Sequence, residues 1–357
     1  MISYDGWDRE YQENKHAYLD LFDRFMSQAN YENNEGFENN FAKRLDRKHC
    51  VSVASATDAL HFALLSHGVG PGDEVLVTDF SWISSSACVS MVGATPVFCD
   101  IDLDSYHMNI DSIKRMYSEK VKAIVYPHLF GNMSDTSDIE KFCEENGIVF
   151  IEDAAQSLGA SLGRVRAGTI GITSVVSFNS NKVISGVNGG GVILTDDDAV
   201  ANLAKLFRRH GKDKDFKMLG YNSRMYVLNA EIIKLRLQST EQNQKRRQQT
   251  AKIYNDAFAN LPIATQTMSA GVNHNYHKYV VRFEDKETRN RIKDALSASI
   301  HYEIPLSDNS MYNNLPHRKD ECIYSKIASD TVLSLPVHAW LTDSEITSVI
   351  TIVKENI

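Results

Sequence analysis

The chain has 357 residues, 43% of them hydrophobic and 24% charged, a composition ordinary for a globular protein. This length is enough for one large and one small domain. The net charge of -8 gives no electrostatic support for nucleic-acid binding. No apolar run approaches the roughly 20 residues that span a bilayer. The polar first ten residues do not resemble a signal peptide, so we expect a cytoplasmic location and no membrane contact.

The cysteine pattern gives no sign of disulfides or of a metal site. The five cysteines are scattered and form no CxxC pair. Most lie in apolar surroundings, which is typical of reduced core cysteines. The sequence therefore predicts no bound metal.

The first candidate site element is the start of a helix. Helical spacing is seen at residues 18–26 and 38–45, and a strand is expected at 48–53. Ser55, Ala56 and Thr57 then open a mostly apolar helix at 58–66. Free N–H groups at a helix start can bind phosphate. The alternative is that Ser55 or Thr57 only caps the helix.

Between residues 71 and 153, strands alternate with helices. The strands are expected at 74–78, 95–100, 123–126 and 148–153, and the helices at 81–92, 110–117 and 136–146. This alternation predicts βαβ units and a mainly parallel sheet, with chemistry at the carboxyl ends of the strands. Trp82, His128 and Asp153 lie at or just past such ends, so they could meet in one crevice.

A lysine in a glycine-rich loop completes the pattern. Lys182 follows an apolar strand at 172–177, and glycines 189–191 precede the next strand at 191–195. Glycines let the backbone approach another group closely. A partly dehydrated lysine loses its proton more easily and can attack a carbonyl. Paired with Asp153, Lys182 meets the needs of a pyridoxal phosphate site. Alone, it could be a surface lysine.

The rest of the chain predicts a smaller second domain. After a helix at 197–210 and a charged loop at 211–220, residues 230–260 have few helix breakers and predict one long linking helix. Its basic run at 245–247 is expected to be a solvated face. A strand at 279–283, a helix at 287–298 and a closing helix from Thr342 follow. We expect domains at 1–240, with the N-terminal helices and the large α/β unit, and at 241–357, a small α+β unit.

Taken together in order and spacing, eight motifs resemble the DegT/DnrJ/EryC1/StrS family of nucleotide-sugar aminotransferases. They are SATDAL at 55–60, GPGDEV at 70–75, GATPV at 93–97, HLFG at 128–131, IEDAAQS at 151–157, SFNSNK at 177–182, GYNSRM at 220–225 and LSLPVH at 333–338. The resemblance implies a fold-type-I pyridoxal phosphate transferase similar to aspartate aminotransferase. Such a fold has a mainly parallel sheet in a large α/β domain and a smaller C-terminal α+β domain.

The resemblance also implies roles around the cofactor ring. Lys182 matches the lysine that holds the cofactor aldehyde and later moves a proton, and Asp153 matches the acid at the pyridine nitrogen. Gln156 matches the amide at the phenolic oxygen, and Trp82 matches an aromatic residue stacked on the ring. The alternative for Trp82 is an ordinary core aromatic.

The family further implies a phosphate site and a homodimer. Ala56 and Thr57 match the phosphate-binding helix start, and Ser177 matches a second phosphate contact. Asn222 matches a residue that reaches the neighbouring subunit's cofactor, so the active sites of a homodimer would be shared. Ser177 could instead simply end a strand, and Asn222 could be a turn residue.

Substrate contacts are less well defined by the resemblance. Candidates are His128, Arg224 and His301, although His128 could be structural and Arg224 a surface residue. Asn188 replaces the usual glutamate before the paired glycines, and Ser307 replaces a histidine in a proline-leucine-histidine run. These departures put the sugar specificity in doubt, and His301 could supply the missing histidine.

The function implied is transfer of an amino group from L-glutamate to a nucleotide-linked keto-deoxysugar, with pyridoxal and pyridoxamine phosphate alternating. C-4 is preferred over C-3 by family analogy, and the expected pathways are bacterial surface polysaccharide, such as lipopolysaccharide O-antigen, or amino-sugar biosynthesis. The alternatives are another pyridoxal phosphate reaction on this fold, or a non-catalytic regulatory member. A nicotinamide oxidoreductase is disfavoured because the glycines precede a strand instead of joining an early strand to a helix.

Overall fold

The computed structural model describes residues 2, 4–28 and 34–357. The helices are α1 (Trp7–Gln28), α2 (Glu35–Leu45), α3 (Ala56–Ser66), α4 (Ser84–Met91), α5 (Ile110–Met116), α6 (Ser137–Glu145), α7 (Asp198–Phe207), α8 (Val227–Leu237), α9 (Thr240–Phe258), α10 (Lys286–Leu296), α11 (Ile323–Thr331) and α12 (Asp343–Glu355), with short 3₁₀ turns at Leu129–Gly131, Leu306–Asp308 and Ser310–Asn313. The strands are β1 (His49–Val53), β2 (Glu74–Thr78), β3 (Thr95–Cys99), β4 (Val121–Pro127), β5 (Val149–Asp153), β6 (Ser161–Leu162), β7 (Val165–Arg166), β8 (Thr173–Ser177), β9 (Gly191–Thr195), β10 (Ala264–Thr265), β11 (Val272–Asn273), β12 (Tyr279–Arg282), β13 (Arg318–Lys319) and β14 (Val332–Leu335).

One large sheet of eight strands, in the order β1-β9-β8-β5-β4-β2-β3-β13, forms the centre of the fold. The strands from β8 to β13 in this order pair in parallel, whereas β9 is antiparallel to both β8 and β1. The predicted mainly parallel α/β sheet is therefore confirmed.

Alternating side chains of the sheet pack into two separate cores, one on each face. In β2, Val75 and Val77 point to one core, which contains residues of α3, α4 and α7. Leu76 points to the other, which contains residues of α2, α6 and α8. Because successive side chains of a strand point to opposite faces, a strand buried on both sides is apolar throughout. Helices on both faces leave the carboxyl ends of the parallel strands as the open edge.

The strand register brings the ends of β4, β5 and β8 together. Pro127 pairs with Asp153, and Asp153 pairs with Val175. The Lys182 loop starts two residues after Val175, where β8 ends. Asp153 and the Lys182 loop therefore lie on neighbouring strands at one edge of the sheet.

The C-terminal part has its own core but also contacts the rest of the chain. A second sheet, β10-β12-β14, packs with residues of α9, α10 and α12. β13 nevertheless returns to pair with β3 in the large sheet, and Arg9 of α1 forms an ion pair with Glu345 of α12. The domain division at 240/241 therefore stays a proposal, because these contacts cross it.

The single long helix predicted at 230–260 is wrong, because α8 ends at Leu237 and α9 begins at Thr240. At the break, the Ser239 N–H and hydroxyl both donate to Arg236 O, at 3.3 and 3.2 Å. The Thr240 hydroxyl donates to Leu237 O at 2.8 Å. Serine and threonine side chains that bond to nearby carbonyls compete with the helical ladder.

All five cysteines are buried and unpaired, as predicted: Cys50, Cys88, Cys99, Cys143 and Cys322. Within the described residues, no group of three histidine, cysteine or acidic side chains is placed to hold a metal ion. None of the helices in those ranges has the length and apolar character needed to cross a membrane.

Candidate active site

Lys182 lies in a loop that is held by backbone hydrogen bonds. Its N–H donates to Asn179 O at 3.0 Å, and the Gly186 N–H donates to Phe178 O at 2.7 Å. Phe178 is fully buried and packs edge-on against Phe41 with ring centroids 5.5 Å apart. The Lys182 side chain is half-buried. Burial lowers the pKa of its ammonium to about 8, partly opposed by Asp153, so more of the nucleophilic amine is present at neutral pH than in an exposed lysine.

Asp153 supplies a buried carboxylate within electrostatic reach of that lysine. Its Oδ1 accepts the Ala155 N–H at 3.1 Å, and its Oδ2 accepts the Ser85 hydroxyl at 3.4 Å. Burial raises the pKa of Asp153, and the Ala155 N–H and the charge of Lys182 oppose the rise. A cationic group placed against this carboxylate would stabilise its ionised form further.

The start of α3 offers amides that precede its helical hydrogen-bond ladder. Ser55 is the N-cap, and its Oγ accepts the Asp58 N–H at 3.0 Å. The first helical bond is made by Ala59 N–H to Ser55 O, so the Ala56 and Thr57 amides precede the helical ladder. Capping uses the Ser55 hydroxyl, whereas phosphate binding would use the Ala56 and Thr57 amides, so the two hypotheses for this motif are compatible.

The glycine run allows the strand that follows the Lys182 loop to lie directly against that helix start. A Cβ atom on Gly191 would lie 2.6 Å from Ala56 N and 2.7 Å from Ser55 O. Ser177 is the residue paired with Gly191 across β8 and β9. Ser177 and the Ala56 amide are thus both neighbours of Gly191, and a hydroxyl and helix-start amides are groups that bind anions.

Gln156 is oriented by two hydrogen bonds. Its Oε1 accepts the Phe130 N–H and its Nε2 donates to the Tyr302 hydroxyl, both at 2.9 Å. Tyr302 stacks on Phe130, with centroids 6.3 Å apart and an interplanar angle of 19°. The amide nitrogen of Gln156 thus faces Tyr302, a residue that the sequence analysis did not single out.

Trp82 is 60% exposed and touches Tyr302 with ring centroids 6.4 Å apart. The alternative that Trp82 is an ordinary core aromatic is therefore wrong. An indole exposed next to Tyr302 can cover a flat ring.

His128 does not line the cavity beside Lys182. Its ring is fully buried, with Nε2 3.3 Å from Glu152 Oε1, and it packs against Tyr126 with centroids 5.5 Å apart. This placement favours the structural interpretation over a substrate contact.

His301, in contrast, lies with Lys182 in a cavity of about 210 Å³, here called the Lys182 cavity. Its Nδ1 is 2.9 Å from Ser334 Oγ. Burial, with the nearby Lys278 and Lys182, lowers the pKa of His301 to about 3. The ring is therefore neutral at pH 7 and could accept or donate a hydrogen bond at the edge of the site.

Arg247 and Lys278 also line this cavity, and the sequence analysis missed both. Arg247 Nη1 donates to Tyr276 O and Val337 O, each at 3.1 Å. The prediction that the basic run is a solvated face holds for Lys245, which is exposed, but is wrong for Arg247. Three adjacent basic residues gave no local signal that Arg247 turns inward, because that depends on what the helix packs against.

Asn222 and Arg224 are both exposed and line a separate cavity of about 780 Å³ with Ala54 and Met225. Ser223, between them, anchors this segment: Ala54 N–H donates to Ser223 O at 3.1 Å, and the Ser223 hydroxyl donates to Asp58 at 2.6 Å. The structure thus places Asn222 and Arg224 on the surface, away from the chain's own Lys182 cavity.

The sequence pattern of the DegT/DnrJ/EryC1/StrS aminotransferase family matches residues 11–354. The UDP-2-acetamido-2-deoxy-3-oxo-D-glucuronate aminotransferase of Pseudomonas aeruginosa is 32% identical over 316 residues, which cover 87% of this chain and 86% of that protein. The pleiotropic regulatory protein of Geobacillus stearothermophilus is 29% identical over 306 residues, covering 84% and 82%. The crystal structure of S. venezuelae DesV has a TM-score of 0.93 at 27% identity, covering 99% of this chain and 98% of DesV.

Proposed function

The chain belongs to the DegT/DnrJ/EryC1/StrS family of aminotransferases, and we propose that it transfers an amino group from L-glutamate to a keto group of a nucleotide-linked sugar. The observation that carries the proposal is a half-buried Lys182 within electrostatic reach of the buried Asp153 carboxylate. The α3 start lies at the same edge of the sheet, across Gly191.

The residues present fit pyridoxal phosphate, on which the family depends. An amine for the aldehyde, a carboxylate for the ring nitrogen and a cradle of amides and a hydroxyl for the phosphate are the groups it requires. The close approach at Gly191 is an independent sign of that cradle, because a side chain there would collide with the Ala56 amide. Bound at this site, the cofactor supplies an electron sink for the electrons left when a proton leaves the substrate carbon.

Lys182 is proposed to hold the cofactor and then to carry the proton. Once released, its Nζ would take the proton from the substrate carbon and return it to the other reacting carbon. A pKa of about 8 suits this exchange, since a general acid–base group works best when its pKa is near the operating pH. Asp153 would keep the ring nitrogen protonated, and its burial limits competition from water.

Five further residues are proposed to orient the cofactor. The Ala56 and Thr57 amides and the Ser177 hydroxyl would bind its phosphate. Gln156 Nε2, already turned toward Tyr302, would donate to its phenolic oxygen. Trp82 would cover one face of the ring and exclude water.

We also propose a homodimer in which Asn222 reaches the partner's cofactor phosphate. Support comes from the exposed segment around it, where Leu219 and Tyr226 are 93% and 74% exposed. Apolar side chains exposed to this extent close together are typical of an interface. Sedimentation velocity gives the assembly, and mixing inactive Lys182→Ala and Asn222→Ala subunits should restore activity only if the sites are shared.

The nucleotide sugar and the position aminated are separate parts of the proposal. The P. aeruginosa relative is named for a 3-oxo sugar, whereas family analogy in the motifs favoured C-4. Product analysis by NMR after incubation with UDP-, dTDP- or GDP-linked keto-sugars, including both 3-keto and 4-keto forms, distinguishes the two positions.

The first test is the visible absorbance of the purified protein before and after L-glutamate. The unaltered protein should show a pyridoxal phosphate band that fades when L-glutamate is added. Lys182→Ala, after its cofactor is removed and pyridoxal phosphate is added back, should lack this band. Lys354→Ala, at an exposed position of α12, is the matched control and should keep the band. No band in the unaltered protein with added cofactor would refute the proposal. A band unaffected by L-glutamate would instead indicate another donor or another reaction on the same fold.

A non-catalytic regulatory role is the second candidate, since the G. stearothermophilus relative is named as a regulatory protein. This hypothesis predicts that Lys182→Ala preserves the biological role in a deletion strain. The aminotransferase hypothesis predicts its loss.

A further inference from the structure

Lys278 is a half-buried cation in the same cavity as Lys182. Its backbone is held at the start of β12, where its N–H donates to Phe130 O at 3.1 Å. Its side chain is half-buried and lines the Lys182 cavity. In the described part of the chain, no ion pair or hydrogen bond of the Lys278 ammonium is found.

The surroundings of Lys278 are themselves basic. Lys182 and Arg247 line the same cavity, and Arg247 donates to two carbonyls, which leaves its charge uncompensated. Of the described residues that line the cavity, Asp5 is the one acid, and it is exposed. Burial, followed by repulsion from Lys182 and Arg247, lowers the pKa of Lys278 to about 8, with Asp5 opposing.

The neighbouring histidines do not supply a negative group either. His277 and His301 line the cavity, and burial lowers the pKa of both below its usual value, aided by Lys182 and Lys278. They are therefore neutral at pH 7 and act as hydrogen-bonding groups. A concentration of partly buried positive charge costs free energy unless an anion neutralises it.

Resting on the proposed function, we infer that Lys278 and Arg247 form a subsite for a carboxylate of the substrate that reacts at Lys182. The volume of the Lys182 cavity, about 210 Å³, is large enough for a small carboxylate. Arginine binds carboxylates in a fork, and lysine binds them as a point charge. The carboxylate would come from the amino donor, L-glutamate, or from a uronic-acid sugar, and the two sources share the same chemistry.

The test compares Lys278→Gln, Lys278→Arg and the exposed control Lys354→Gln. The half-saturating L-glutamate concentration is measured from the fading of the cofactor band, and the thermal midpoint and the band of each variant check its folding. Lys278→Gln should raise that concentration about tenfold or more, corresponding to about 1.4 kcal/mol. Lys278→Arg should recover most of the affinity, and Lys354→Gln should leave it unchanged.

Two further arms identify the carboxylate. L-Isoglutamine has an amide in place of the α-carboxylate, and L-glutamine has one in place of the γ-carboxylate. If Lys278 binds the α-carboxylate, L-isoglutamine should react weakly, and equally with the unaltered protein and with Lys278→Gln. If Lys278 binds the γ-carboxylate, L-glutamine should show this weak and equal reaction instead. A Lys278→Gln effect limited to nucleotide-linked uronic acids would support the subsite and assign it to the sugar. An unchanged response to both substrate classes in a folded Lys278→Gln variant would overturn the inference.

Calorimetry with glutarate separates this inference from the proposed function, because glutarate carries carboxylates but no amine. Weaker glutarate binding to Lys278→Gln than to Lys354→Gln would support the subsite even if no cofactor band or transamination were found. Equal glutarate binding, together with equal L-glutamate and uronic-acid responses, would overturn it while leaving the aminotransferase proposal intact.

Discussion

Gly191→Ala tests the proposed phosphate cradle with the addition of a single methyl group. Its Cβ would lie 2.6 Å from Ala56 N and 2.7 Å from both the carbonyl carbon and oxygen of Ser55. These are backbone atoms, so no side-chain rotation relieves the collision. The start of α3 would have to retreat by about 0.8 Å to restore the 3.4 Å at which ordinary contacts begin. Backbone strain at Gly191 is not a factor, because its φ lies outside the left-handed region.

The expected result is weaker cofactor binding. Forcing an extra carbon into a packed site typically costs about 1–3 kcal/mol, which corresponds to a loss of affinity of about 5- to 150-fold if the displaced amides are the ones that bind phosphate. Equilibrium titration of the cofactor-free protein with pyridoxal phosphate, followed by visible absorbance, measures this loss.

Gly36→Ala is the matched control, since a Cβ atom there meets nothing within 4 Å and the residue lies within α2. It should bind the cofactor as the unaltered protein does and be slightly more stable, because alanine favours helices over glycine. If Gly191→Ala and Gly36→Ala bound pyridoxal phosphate equally well, the assignment of the cradle to the α3 start would be wrong.

Asp153→Asn should retain the cofactor band but slow the L-glutamate half-reaction by about 10²-fold or more, measured by stopped-flow absorbance. The rate of cofactor uptake by the cofactor-free protein should rise with pH through about 8, the pKa of Lys182. Because the Asp153 charge raises that pKa, the Asp153→Asn midpoint should be lower, and an unchanged midpoint would contradict their coupling. Glu152→Gln should reduce the free energy of unfolding in urea by about 1–3 kcal/mol. The Glu152 carboxylate accepts the N–H groups of Gly168 and Ile170, each at 2.8 Å. In Glu152→Gln the NH₂ group of the glutamine would face one of these two N–H donors. An unchanged urea midpoint would count against this reasoning.

Family membership, the mainly parallel sheet and most helix and strand positions were predicted from the sequence and confirmed. The strands at 74–78 and 191–195 were predicted to the residue. The break at Ser239 was missed, because the composition of 230–260 favours helix throughout and the competing bonds are made by single side chains.

The parts of the candidate site that could be predicted were residues whose type and position next to a predicted strand carry the signal. Asp153 ends one buried strand and Lys182 follows the next strand of the sheet, and the carboxyl ends of parallel strands lie at one edge of the sheet. The roles of the predicted site residues stay proposals. The structure places Asp153 within electrostatic reach of Lys182, places His301 in the Lys182 cavity, and leaves Asn222 and Arg224 on the surface.

Only the tertiary structure decided the basic wall of the Lys182 cavity and the position of Tyr302. Arg247, Lys278 and Tyr302 come from segments separated by tens of residues, and each resembles an ordinary helix-surface, strand-edge or loop residue locally. Their convergence depends on how α9 and β12 pack in the C-terminal core and on how β12 meets the turn at Phe130, which is set by burial of many side chains together. The sequence by itself determined the elements and the two ionisable groups at their ends, because periodicity and strand order are local properties. Long-range packing decided which other charges meet them.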